Sequence, residues 1–140
     1  MTHALDALIA RVEGATEADR EIDALIFIAL EFPEWRLQVS CELFPEQVMV
    51  GRIQEPEGAR SVNRGFGWRE SPRYTASLDA ALDLVKAKLP GYGWSIYCAE
   101  SRYEAYIKYD GVDVSEARAP TPALALLSAL LRALKAEDKG

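Results

Sequence analysis

The chain has 140 residues, 49% hydrophobic and 27% charged, which is the make-up of a folded domain and excludes a disordered one. Its net charge of −6 and isoelectric point near 4.9 exclude the basic face of a double-stranded nucleic-acid binder. No apolar run approaches the roughly 20 residues that span a bilayer, and no basic region followed by an apolar core opens the sequence, so no membrane partner is expected.

The expectation is a single domain over residues 1–140, working in the cytoplasm of the cell that makes it. Charge is unevenly spread. Residues 1–35 carry two basic and eight acidic side chains, whereas residues 36–74 carry six basic and five acidic. The acidity therefore belongs to the N-terminal helices. Cys41 and Cys98 sit in strand-like stretches with no metal-ligand spacing and read as buried, reduced thiols.

The first helix is predicted from Ala4 to Glu13, with Thr2 as N-cap, because Leu5, Leu8, Ile9 and Val12 recur on one face. Gly14 stands where a left-handed residue would stop it. Thr16 then opens a second helix, with Asp19 in an aspartate version of the capping box, and Pro33 ends it. Two strands follow. Trp35 to Leu43 alternates with period two, and Gln47 to Ile53 carries Val48 and Val50. Glu55-Pro56-Glu57-Gly58 is a turn, and Ala59 to Tyr74 reads mostly as loop, with room for a short strand at Arg60–Asn63.

A third helix starts at Thr75 or Ser77 and ends at Pro90-Gly91. Its apolar stripe is Leu78, Ala81, Leu82, Val85 and Leu89. Gly93 to Ala99 and Glu104 to Asp110 then form a hairpin around Ser101-Arg102-Tyr103. In its first strand Trp94, Ile96 and Cys98 share a face. In its second, the alternation leaves open whether Ala105 and Ile107 or Glu104 and Tyr106 face inward.

The last helix has Thr121 as N-cap and Pro122 at its first position. Its six leucines cover an arc of about 160° at 100° per residue. Ser128, Arg132, Lys135 and Lys139 form a polar stripe, and alanines fill the remaining side. Leucines are expected against a sheet and alanines against another helix. A membrane-surface helix would need a broader, more basic polar face. Together these elements predict an α+β fold: an α-β-α sandwich with an antiparallel sheet of four or five strands and about four helices.

Pro72-Arg73-Tyr74-Thr75-Ala76-Ser77-Leu78-Asp79-Ala80-Ala81-Leu82, together with Ala119-Pro120-Thr121-Pro122-Ala123-Leu124-Ala125-Leu126 ahead of an Ala/Leu helix, resembles the phage ABA sandwich domain family. Leu8-Ile9-Ala10-Arg11 through Asp19-Arg20-Glu21-Ile22-Asp23 fits the same pattern. The resemblance spans most of the chain outside roughly residues 44–71. It implies an α-β-α layered domain from a phage or prophage, acting in the host cytoplasm, and it brings no catalytic residues.

One segment concentrates positive charge and aromatic rings. Between residues 60 and 74 stand Arg60, Arg64, Arg69 and Arg73 against the single acid Glu70, with Phe66, Trp68 and Tyr74. Asn63 and the glycines at 65 and 67 permit close backbone approach. Arginine forks take phosphate or carboxylate, and flat rings stack on bases. The candidate ligand-binding residues are therefore Arg60, Asn63, Arg64, Phe66, Trp68, Arg69, Arg73 and Tyr74. The competing account is a solvated loop whose arginines pair with the acidic N-terminal helices.

No other constellation carries chemistry. Asp79 and Asp83 share a helix face without a third ligand, His3 is the only histidine, and Gly65-Phe66-Gly67 lacks the lysine of a phosphate loop. No metal, cofactor or catalytic residue is expected. Tyr97, Tyr103, Tyr106 and Tyr109, with Trp94, suit a homo-oligomer interface and suit ordinary sheet packing equally. The functional expectation is a phage-encoded, non-catalytic binding protein that sequesters a small anionic, nucleotide-type host signal. The alternative is a protein–protein adaptor or minor phage structural component that self-assembles.

Overall fold

The computed structural model describes residues 2–31, 36–37, 52–54 and 68–139, with side-chain surroundings for residues 5–31 and 71–137. Among them the architecture is α+β, with four helices and antiparallel sheets of three strands each. The chain divides into two compact units, Met1–Asp19 with Arg73–Gly140, and Arg20–Pro72.

In the first unit, α1 (Thr2–Gly14) and α3 (Leu78–Lys88) both pack on α4 (Pro122–Lys139), and α4 in turn covers β5 (Arg102–Tyr109) and β6 (Val112–Ala119). The sheet order is β4-β5-β6, with β4 at Gly93–Ala99. Thus the layers run sheet, α4, then α1 and α3. Among the described residues this sheet has three strands, where four or five were expected. Its third strand, β6, has no counterpart in the predicted elements.

The inner face of that sheet is built from small side chains. Ala105 and Ala117 are register partners, as are Tyr103 and Ala119, and Ala105, Ile107, Ala117 and Ala119 are buried. This settles which face of β5 is inside. Opposite them, α4 buries Leu124, Leu126, Leu127, Leu130 and Leu131 completely. Each such leucine contributes about 2 kcal/mol relative to exposure. Ser115 of β6 donates its hydroxyl to the Ala129 carbonyl at 2.6 Å, which ties α4 to the sheet at that turn.

The polar stripe of α4 meets α1. Arg132 pairs with Glu13 and Lys135 with Asp6, both on α1. Progress from Asp6 to Glu13 matches regress from Lys135 to Arg132, so the pairs fix α1 antiparallel to α4. Ser128, one turn earlier on this stripe, is fully buried and its hydroxyl has no hydrogen-bond partner.

Turns and caps follow from side-chain chemistry. Asp110 and Gly111 join β5 to β6 with φ of 54° and 79°, the left-handed pair that a two-residue type I′ hairpin demands. Between Ile107 and Lys108 the register shifts, because Ile107 faces Ser115 and Lys108 faces Asp113; Val114 is the extra residue of a β-bulge. The β4–β5 hairpin turns at Glu100 and Ser101, earlier than predicted, since Arg102 and Tyr103 already pair in β5. Ser77 caps α3 by accepting from the Ala80 amide at 3.2 Å, and Thr121 caps α4 by accepting from the Leu124 amide at 3.2 Å. Gly14 is the last residue of α1 and does not take the left-handed conformation expected of a stop signal.

In the second unit α2 (Arg20–Glu31) packs on β1 (Arg36–Leu37) and β2 (Arg52–Gln54), and β3 (Trp68–Glu70) completes an antiparallel sheet in the order β1-β2-β3. Helix α2 starts four residues after Thr16, so Thr16 and Asp19 form no capping box. The rest of the predicted strands Trp35–Leu43 and Gln47–Ile53, the turn at Glu55–Gly58, and the short strand at Arg60–Asn63 lie outside the described residues.

Candidate functional site

Four of the eight candidate ligand residues, Arg60, Asn63, Arg64 and Phe66, lie outside the described residues. Trp68 and Arg69 are on β3, where Trp68 faces Gln54 and Arg69 faces Ile53 in the register. Strand alternation therefore puts these two residues on opposite faces. The expectation of loop is corrected here. The run Trp-Arg-Glu is too polar and too short to show a period of its own, and it is strand because β2 pairs with it. Arg73 is exposed. Tyr74 is only 4% exposed and belongs to the core of the first unit, so its ring is not offered to a ligand stacking at the surface.

The backbone around Arg73 is tightly determined. Within the second unit, Arg20 donates from Nη2 to the Ser71 carbonyl at 2.9 Å and from Nη1 to the Pro72 carbonyl at 3.3 Å. The same guanidinium pairs through Nη1 with the fully buried Asp23 carboxylate at 2.6 Å. Within the first unit, the Asp19 amide donates to Thr75 Oγ1 at 2.8 Å, and the Thr75 hydroxyl donates to the Asp19 carbonyl at 3.2 Å. The Arg73 carbonyl accepts from the Ser77 amide at 2.9 Å. Thr75 thus serves the junction while Ser77 serves the helix, which divides the two start positions considered for α3. Among the described residues, Arg20 of α2 links the helix to this segment through the Ser71 and Pro72 carbonyls.

Two other surfaces hold polar side chains together. A groove of about 510 Å³ follows the α1–α4 seam, lined by Asp6, Ile9, Glu13, Arg132 and Lys135. Its acids and bases are matched in pairs, so it offers no surplus cation to an anionic ligand. Arg132 also donates to the Glu116 carbonyl on β6 at 3.2 Å. The second surface is the outer face of the sheet. There Tyr106 donates to Glu104 Oε1 at 2.9 Å, Arg118 Nε meets Glu104 Oε2 at 3.0 Å, and Tyr97 meets Tyr106 edge-on with ring centroids 5.7 Å apart. The hydrogen bond to Glu104 raises the Tyr106 pKa above the usual tyrosine value. Partial burial and the charges of Glu104 and Glu116 act in the same direction, and Arg118 opposes them.

Of these surfaces, the tyrosines of the sheet stood out in the sequence and the α1–α4 seam did not. The signal for the α1–α4 seam was the spacing of Asp6 and Glu13, seven residues and two turns apart on one face, against Arg132 and Lys135. Among the described residues no group of three His, Cys, Asp or Glu side chains is placed to hold a metal ion, and no helix is long and apolar enough to cross a membrane. No protein-family model, curated protein or solved structure matches the chain.

Proposed function

We infer that this chain is a non-catalytic binding domain of phage or prophage origin that captures a small anionic ligand of nucleotide type through the arginine–aromatic segment 60–74. The observation that supports this most is how that segment ends. Arg73 is exposed, and the carbonyls of Ser71 and Pro72 before it are held by Arg20, while Thr75 after it is held by Asp19. A cation offered from an already ordered backbone loses little conformational entropy when an anion arrives. Capture of a host signal needs affinity and stoichiometry and no acid–base apparatus. The host cytoplasm belongs to the same reading, through the family resemblance.

Native mass spectrometry after incubation with cyclic mono- and dinucleotides tests it. One ligand mass per chain is expected, and it should vanish in the triple variant Arg64→Ala, Arg69→Ala, Arg73→Ala. If no candidate adds mass, or the addition survives in that variant, the ligand reading is withdrawn.

A further inference from the structure

The two edges of the β4-β5-β6 sheet are treated differently. On β6, the bulge at Val114 breaks the register, Asp113, Glu116 and Arg118 place charge along the strand, and Arg132 occupies the outward Glu116 carbonyl. Bulges, charged side chains and covered backbone groups are the devices that keep a strand edge from pairing with another chain. None of them is present on β4. Its seven residues, Gly-Trp-Ser-Ile-Tyr-Cys-Ala, carry no charge and no proline, and they pair with β5 in unbroken register from Gly93 to Ala99. Among the described residues β4 pairs with no second strand, and Trp94 and Tyr97 are 41% and 53% exposed.

We propose that β4 is a self-association edge: two copies of this chain pair antiparallel through β4, around a two-fold axis at Ile96, so that their sheets join into one of six strands. Three features select a second copy as the occupant. An antiparallel edge is complementary to itself under two-fold symmetry, so its unpaired backbone groups find matching groups on an identical strand. With no charged side chain on β4, two copies of an acidic protein meet there without placing like charges opposite each other. Finally, centring on Ile96 uses the whole strand and sets large against small. Trp94 lies opposite Cys98 of the second copy, Ser95 opposite Tyr97, and Gly93 opposite Ala99. Neither face then forces two rings into one position.

The proposal stands apart from ligand capture and gives a form to the self-assembly alternative. It is tested on the ligand-free full chain, so its failure leaves nucleotide binding untouched. Sedimentation equilibrium under reducing conditions should show a monomer–dimer equilibrium with a Kd of about 1–100 μM. Tyr97→Lys puts a charge on the exposed face of the edge and should weaken it at least tenfold, whereas Val114→Lys on β6 should leave it unchanged. A monomer mass up to about 500 μM overturns the proposal. So does an equilibrium that ignores Tyr97→Lys or responds equally to Val114→Lys.

The register has its own test. Trp94→Cys places a thiol opposite Cys98 of the second copy, and Cys98 is exposed and free. On one strand these positions are about 13 Å apart, too far for an internal disulfide. Mild oxidation should therefore give a covalent dimer whose peptide map joins position 94 to position 98, with an unchanged circular dichroism spectrum. Failure to recover that linked peptide rejects the Ile96-centred register.

Discussion

Thr75 and Asp19 hold each other twice: the Asp19 amide donates to the Thr75 hydroxyl oxygen, and that hydroxyl donates to the Asp19 carbonyl. These residues stand at the two points where the chain leaves the first unit and re-enters it. Residues 20–72 are therefore an insertion whose ends are fastened together on the first unit's side. Replacing Thr75 by valine keeps the shape and deletes both bonds, leaving two backbone groups unmatched beside a side chain that is 2% exposed. Thr75→Val should cost about 2 kcal/mol in urea unfolding, while Thr75→Ser should recover most of it. A loss in Thr75→Ser with none in Thr75→Val would show that packing of the methyl group, and not the hydroxyl, matters there.

Arg20 performs the corresponding task on the other side. It neutralises Asp23, which is fully buried, and binds two carbonyls of the returning chain. Arg20→Met retains length and apolar stem but removes the guanidinium paired with a buried carboxylate, so a loss of about 3 kcal/mol is expected. The double variant Arg20→Met, Asp23→Asn should be more stable than Arg20→Met alone, because the buried charge that Arg20 balances is gone as well. Simple additivity of the two substitutions in a double-mutant cycle would contradict this.

Ser128 is predicted to be a liability. Its hydroxyl is buried without a partner on a helix whose neighbouring positions are alanine and leucine. Ser128→Ala removes a desolvated polar group and should raise stability by about 1 kcal/mol, with a Tm higher by a few degrees in calorimetry. A lower Tm would mean that the hydroxyl has a partner in solution.

Tyr106 should titrate at higher pH than an ordinary tyrosine, whose pKa is about 10. The folded state favours the neutral phenol, because that form donates to Glu104. Stabilisation from this group is therefore complete below the unfolded pKa and fades as pH rises through the higher folded value. The difference in 295 nm absorbance between the wild-type chain and Tyr106→Phe isolates this phenol. Glu104→Gln should move its midpoint down toward the ordinary value; a midpoint that stays put would assign the shift to burial instead.

Helix caps and apolar faces were the legible part of this sequence. Thr121, Pro122 and the leucines of α4 each act as their residue types require, and so does Ser77. Strand β6 escaped because its inward residues, Ser115, Ala117 and Ala119, are too small to produce an apolar period, although Asp110-Gly111 before it is the turn pair that most strongly announces a hairpin. The polar stripe of α4 did not announce its neighbour, because charge on one helix does not disclose that another helix carries the matching charges. Asp6 and Glu13 had to be seen beside Lys135 and Arg132. Of the candidate ligand residues, composition alone could not separate Arg73, which is exposed, from Tyr74, which is buried next to it.

Helix α4 comes last among the elements that it holds together. During synthesis α1, α3 and all three strands of the first unit's sheet emerge before it, and Ala105, Ile107, Ala117 and Ala119 then form an apolar surface with no cover. Chain elongation at about 5–20 residues per second leaves that surface open for seconds, long enough for a holding chaperone to bind it. The unit can close only when residues 122–139 arrive, and a ribosome that stalls before them releases a sheet that has nothing to fold against.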